Sequence, residues 1–150
     1  MYCQYLLVNN PMMLTTKGRY AVMAILEMAS NVGDEPITLN KISLKQNISL
    51  NYLEQIFSKL KKANLVKAIR GPNGGYILIG KLEEIKISNI MDAVNENFIM
   101  TGCYKKSIKN CASSTMKCNS HKLWKGLGKH IRDYFENISV KDALNLNLNI

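Results

Sequence analysis

The chain has 150 residues, enough for one domain or one compact domain plus an appendage, and its 47% apolar content is ample for a core. No apolar run approaches the roughly 20 residues of a membrane-spanning helix, and the first dozen residues lack a basic leader and a small-residue cleavage site; a cytoplasmic protein without membrane contact is expected. The formal charge of +9 is segregated: Lys41–Arg70 holds seven Lys or Arg against Glu54 alone, Cys103–Arg132 holds eight with no acid, and the rest is net acidic. Such concentration suits phosphate contacts, but a solvated basic face accounts for it equally, so charge alone leaves a nucleic-acid partner open.

Met12 and Met13 stand just ahead of a much more regular pattern, so residues 1–11 are expected as a disordered extension and Cys3 belongs to no site. Thr15 and Thr16 are candidate N-caps for a helix running to about Ser30, with Tyr20, Ala21, Ala24, Ile25 and Met28 on one apolar stripe. Gly33, Asp34 and Pro36 break it, and Thr38 restarts a short helix with Leu39 and Ile42 inward. After a turn at Asn47 and Ile48, Ser49 caps the clearest helix in the chain, because Leu53, Ile56, Phe57 and Leu60 fall at i, i+3, i+4 and i+7. Asn64 terminates it; Leu65–Ile69 and Tyr76–Ile79 then read as short strands around Gly71-Pro72-Asn73-Gly74-Gly75, an exposed hairpin tip with Arg70 at its base. Beyond it come a Ser88-capped helix with Ile90, Met91 and Val94 inward, and an irregular polar stretch from about Asn97 to Asn119. A long helix follows from His121 to Asn137, whose Leu123, Leu127, Ile131, Tyr134 and Ile138 suit packing against another helix, and Ser139 with Asp142 caps a last short turn before a loose tail.

Helix, turn, capped helix with a polar outer face, then a hairpin with a basic base is the order of a winged helix-turn-helix: a mainly α fold with a small β-hairpin wing, followed here by a long C-terminal helix. A helix of this kind fits the major groove of double-stranded DNA, and the hairpin reaches the flanking minor groove. Ser49, Asn51, Tyr52, Gln55 and Lys59 on the helix, and Arg70, Gly71 and Gly74 on the hairpin, are the candidate DNA contacts. An ordinary solvated helix face remains the alternative for Tyr52 and Gln55, and generic phosphate attraction is all that Lys59, Lys61 and Lys62 are assigned. Glu54 is more informative, since an acid inside a basic surface repels phosphate; it either accepts from cytosine N4 or pairs within its helix with Ser58 or Lys61.

Cys103, Cys111, Cys118 and His121 are spaced C-x7-C-x6-C-x2-H. Three thiolates and an imidazole form a complete soft four-ligand set, suited to zinc or an iron-sulfur cluster and poorly to calcium or magnesium. Cys3His is a normal zinc set, whereas the absence of a tight C-x2-C knuckle favours the larger cluster, so both stay open on the residues alone. Lys105, Lys106, Lys109, Lys117 and Lys122 surround the set and offset thiolate charge, or simply face solvent. No Ser/His/Asp arrangement, phosphate-binding glycine loop or C-x2-C redox pair is visible, so no enzyme is expected.

The runs Leu14-Thr15-Thr16-Lys17-Gly18-Arg19-Tyr20-Ala21-Val22, Ile48-Ser49-Leu50-Asn51-Tyr52-Leu53-Glu54-Gln55-Ile56-Phe57 and Arg70-Gly71-Pro72-Asn73-Gly74-Gly75-Tyr76, with Cys118-x2-His121 followed by Leu123-Trp124, resemble the iron-sulfur cluster regulators of the IscR type. The similarity spans about Met12 to Asn145. It implies a homodimeric transcription regulator that binds a 2Fe-2S cluster through Cys103, Cys111, Cys118 and His121, receives it from the iron-sulfur assembly machinery, and recognises pseudo-palindromic promoter sites of assembly genes. It also implies that Ser49, Tyr52, Glu54 and Gln55 lie on the recognition helix, that Arg70 enters the minor groove, and that Glu54 sets selection between two classes of DNA site. Asn51 stands where serine is common, and the cysteine spacings are longer than the family's. The expected division is therefore 12–95 winged helix-turn-helix, 96–121 cluster-binding loop, 122–145 dimerisation and C-terminal helices, and 146–150 loose tail. A nitric-oxide- or iron-responsive relative, and a winged-helix repressor with structural zinc, are the competing readings.

Overall fold

The computed structural model describes residues 14–31, 35–98 and 120–145. The extension at 1–11, the tail at 146–150 and most of the 96–121 segment lie outside the described residues. The elements run α1 (Thr16–Ala29), α2 (Leu39–Gln46), α3 (Leu50–Lys62), β1 (Val66–Ile69), β2 (Gly75–Leu78), α4 (Ile87–Ala93), α5 (His121–Asn137) and α6 (Val140–Asn145). This is the mainly helical architecture with one antiparallel hairpin that the sequence predicts.

Of the two threonines offered as caps for α1, Thr15 takes the role: its Oγ1 accepts from the Gly18 N–H at 3.3 Å. Ala21, Ala24 and Ile25 are fully buried, and α1 packs against α2, α3, α4, α6 and β2. On α3, Leu53, Ile56, Phe57 and Leu60 are at most 1% exposed. Burying side chains of this size stabilises by roughly 1.5–3 kcal/mol each, so this stripe fixes the rotation of α3 about its own axis.

The first strand begins one residue later than expected and ends at Ile69 as predicted, whereas the second is shifted one residue earlier at both ends. Leu65 donates its N–H to Leu60 O at 3.0 Å and so closes the helix end, whereas Gly75 pairs with Ile69. Ser88 does not cap α4. The helix begins at Ile87, two residues earlier than a Ser88 cap implies, the Asn89 side chain accepts from the Lys86 N–H at 2.8 Å, and Ser88 is buried inside the first turn. Ser139 does cap α6: its N–H donates to Asp142 Oδ2 at 2.9 Å and its Oγ accepts from the Asp142 N–H at 3.1 Å. Fully buried Val140 returns this C-terminal turn to the main core, where its N–H reaches Ile85 O at 2.8 Å.

Two constraints hold the helix-turn-helix and wing in place. Glu27 of α1 accepts from Lys45 Nζ and Gln46 Nε2 of α2, both at 2.7 Å. Ile37, just ahead of α2, exchanges backbone hydrogen bonds with Tyr76 of β2 at 2.9 and 2.8 Å. A Cβ on Gly75 would lie 2.6 Å from Ile37 O, so the close approach requires glycine. Gly75→Ala is expected to destabilise by about 1–3 kcal/mol through this overlap, read as a fall in thermal midpoint.

The hydrogen bond from Lys45 holds the Glu27 carboxyl below its ordinary 4.5, with burial opposing and Gln46 assisting. A carboxyl depressed in the folded state contributes stability that is complete above its unfolded value and lost as pH falls through the folded value. Glu27→Gln is therefore expected to be less stable than the parent near neutrality and to converge with it on acidification, as followed by urea unfolding across the acid range.

Candidate DNA interface and ligand residues

The turn between α2 and α3 is built by Asn47, left-handed at φ 51 and ψ 46, and by Ile48, whose side chain is buried while its carbonyl accepts from Ser43 Oγ at 2.6 Å. Ser49 follows at the N-cap position of α3 but its side chain makes no cap hydrogen bond, so the sequence-based cap holds in position and not in bonding. The exposed hydroxyl stands at the N-terminal end of the helix. Asn51, Glu54 and Gln55 are also exposed, one to two turns along. All four are accessible, with Asn51, Glu54 and Gln55 sharing one face of the helix and Ser49 at its N-terminal end.

Tyr52 and Lys59 are only partly accessible. The Tyr52 ring packs against the core and meets Tyr20 of α1 edge-on, with centroids 5.7 Å apart. Tyr20 is the residue that sequence reasoning missed here. Its place in the α1 stripe marks it as core, and nothing in that periodicity reveals a cross-helix ring contact. Arg19 lies with its guanidinium carbon 5.3 Å from the same Tyr20 ring.

Neither Ser58 nor Lys61 pairs with Glu54. Among the described residues its carboxylate has no hydrogen bond or ion pair, so the intrahelical alternative falls away. Lys59, Lys61 and Lys62 occupy the last turn of α3, where positive charge also complements the helix dipole.

In the wing, Val66 pairs with Leu78 and Ala68 with Tyr76, and the Tyr76 ring leans on Phe57 at 4.8 Å, so the hairpin is anchored to α3 from beneath. Arg70 and Gly71 are exposed at the tip, Gly71 with φ 118, and the half-buried Gly74 donates to Gly71 O at 3.0 Å. Arg70 has no ion-pair partner among the described residues. Thus the exposed α3 face and an unpaired arginine on a rigid hairpin belong to one packed unit, an arrangement suited to a groove and its flanking phosphates.

Of the ligand set, His121 is the first residue of α5 and half-buried; Cys103, Cys111 and Cys118 lie outside the described residues. A half-exposed imidazole only three residues after Cys118, on the opening turn of a helix, fits a soft-metal or cluster site. No residue of α5 is buried, and Leu123, Leu127 and Tyr134 are 64%, 37% and 54% exposed. The predicted stripe therefore divides, because Ile138 packs against the core of its own chain. No helix among the described residues is long and apolar enough to cross a membrane.

The sequence model of the Rrf2 family, described as an iron-dependent transcriptional regulator, matches residues 14–145. The chain is 44% identical over 133 residues to the HTH-type transcriptional regulator IscR of Aliivibrio salmonicida, covering 89% of this chain and 77% of that one. Among solved structures, IscR of T. potens aligns with TM-score 0.71 at 30% identity, over 89% of this chain and 86% of that one. CymR, the global cysteine regulator of B. subtilis, aligns with TM-score 0.73 at 26% identity, over 89% and 96%. With its winged helix-turn-helix and this match over almost the whole length, the chain belongs to the Rrf2 family of transcriptional regulators and is a DNA-binding regulator, not an enzyme.

Proposed function

We propose that this regulator senses iron-sulfur supply, with a 2Fe-2S cluster held by Cys103, Cys111, Cys118 and His121, and that it binds promoter DNA as a homodimer. The observation that carries the reading is the position of His121. It opens the same helix whose Leu123, Leu127 and Tyr134 are exposed and suited to a second copy of the chain. Whatever orders the ligand residues thereby acts on the helix that sets the relation between two DNA-reading heads. The description of the family as iron-dependent and the IscR relatives support the same reading.

When bound, the cluster would supply an oxidation- and iron-sensitive link between the cysteine-bearing segment and α5. The protein's own residues do the rest. His121 contributes a protonatable ligand that dissociates more readily than thiolate. Ser49, Asn51, Tyr52 and Gln55 meet base edges, Lys59 and the backbone at Gly71 and Gly74 approach phosphates, and Arg70 enters the minor groove. Glu54, unpaired on that face, opposes any sequence that offers it no donor such as cytosine N4. Cytoplasmic placement and a cluster donor from the assembly machinery follow from this reading.

The direct test is the composition of protein purified without oxygen. Iron and inorganic sulfide in about equal amounts, with visible absorption that is lost in Cys103→Ala, are expected. Colourless protein containing zinc and no sulfide would instead establish the structural-zinc reading.

Arg70→Ala is expected to weaken every DNA site by about 1–3 kcal/mol, whereas Glu54→Ala relaxes discrimination between sites with little loss of affinity for the best one. Gel-shift titrations at fixed salt on two unlike sites measure both effects; unaltered discrimination in the Glu54 variant would remove its role.

A further inference from the structure

Glu96 is the only charged side chain buried among the described residues, at 6% exposure. It follows the left-handed Asn95 (φ 57) that ends α4, and its N–H closes on Met91 O at 2.9 Å. Its carboxylate reaches across to α1. Oε1 accepts from the Thr15 N–H at 3.1 Å, and Oε2 accepts from the Thr15 hydroxyl, the same hydroxyl that caps the helix at Gly18. A negative group at this end also complements the α1 dipole. Gly18 provides the space, since a Cβ there would stand 2.9 Å from Oε2. Two residues beyond Glu96, Phe98 packs on Phe135 of α5 with centroids 5.3 Å apart. The chain is therefore gripped between α1 and α5 immediately before the segment that contains the three cysteines of the ligand set.

One turn into α1, Tyr20 touches Tyr52 of α3. We propose that Glu96 is a positioning residue for DNA reading: its carboxylate fixes the first turn of α1, Tyr20 on that helix braces Tyr52, and the pose of the exposed Asn51–Gln55 face depends on both. This rests on the reading of α3 as the DNA-reading helix and deepens it by naming the contact through which the cysteine-bearing segment bears on that helix. A carboxylate this buried, pulled from its donors, is left unsatisfied, so the two bonds to Thr15 hold it in place.

The test uses the full chain and a duplex that the parent protein selects from a random-sequence pool, so it needs no cluster. Affinities are measured for the parent, Glu96→Gln, Gln55→Ala and the double variant, with thermal melts confirming folded protein in each. Gln55 is exposed and shares no hydrogen bond with Glu96, so independent residues would give the product of the single effects within about twofold. Positioning predicts that the loss caused by Gln55→Ala shrinks by at least about threefold in the Glu96→Gln background, and that Tyr20→Leu reproduces that shrinkage. Gly18→Ala displaces the same carboxylate by crowding while retaining a good helix former, and carries the test if Glu96→Gln fails to fold. Multiplicative losses in both backgrounds, accompanied only by a lower melting point, would reduce Glu96 to a structural cap and overturn the proposal. Unchanged affinity for Gln55→Ala in the parent would instead remove the DNA-reading role of that α3 face, and this inference with it.

Discussion

The structure turns on the buried face of α1. Ala21, Ala24 and Ile25 have no exposed surface, and the two alanines allow α2, α3, α4 and α6 to crowd against one short helix. A close-packed interior of this kind transmits displacement, because its neighbours have no free volume into which to relax. α3 is consequently not an independent module. Its Leu53, Ile56, Phe57 and Leu60 are seated in the same core, and its Tyr52 rests on Tyr20 of α1. The wing shares that dependence through Phe57 beneath Tyr76 and the Ile37 bridge.

The two faces of α3 divide energy from chemistry. The buried stripe determines where the helix lies, at several kcal/mol in sum, while the opposite face spends nothing on folding and is left accessible. Glu54 illustrates the difference. Hydrated and unpaired, it costs the fold little, but an approaching phosphate or a base without a donor must dehydrate it or tolerate its charge. Under the proposed reading, an acid there acts by rejecting wrong sequences more than by gripping the right one.

The sequence was most legible where structure follows from local periodicity or backbone chemistry. The α3 stripe, the left-handed Asn47 and Asn64, the glycines of the wing and the Ser139–Asp142 cap all depend on residues within a few positions of one another. The contacts that tie these pieces together were not legible. Thr15 and Glu96 are separated by 81 positions, and Arg132 and Asp92 by 40, and no pattern in either neighbourhood marks the pairing. Ser88 was misassigned for a related reason: a serine before an apolar stripe has the features of a cap, but here Asn89 reaches back to Lys86 and the serine is drawn inside. The ligand set rests on spacing and residue type, and of its members only His121 falls among the described residues.

Under the proposed reading, the attachment of α5 decides how a signal at His121 reaches the DNA face. Arg132 forks onto Asp92 of α4 at 2.6 and 2.7 Å and also meets Glu136 at 2.6 Å; these acids, Asp92 foremost, hold its guanidinium even more firmly protonated than usual. All three side chains are substantially exposed, and such pairs stabilise by only about 0–1 kcal/mol, so Arg132 orients the helix more than it secures it. Adhesion falls to Phe135 against Phe98 and to Ile138 in the core. These anchors lie in the second half of the helix and just past its end, and His121 precedes Arg132 by about 16 Å of helical rise. A displacement at the first turn thus acts with a long arm on the Phe98–Phe135 contact, two residues from the carboxylate that caps α1. Under the proposed reading, rearranging the ligand residues loads that junction first, and α1 is the next rigid body in line.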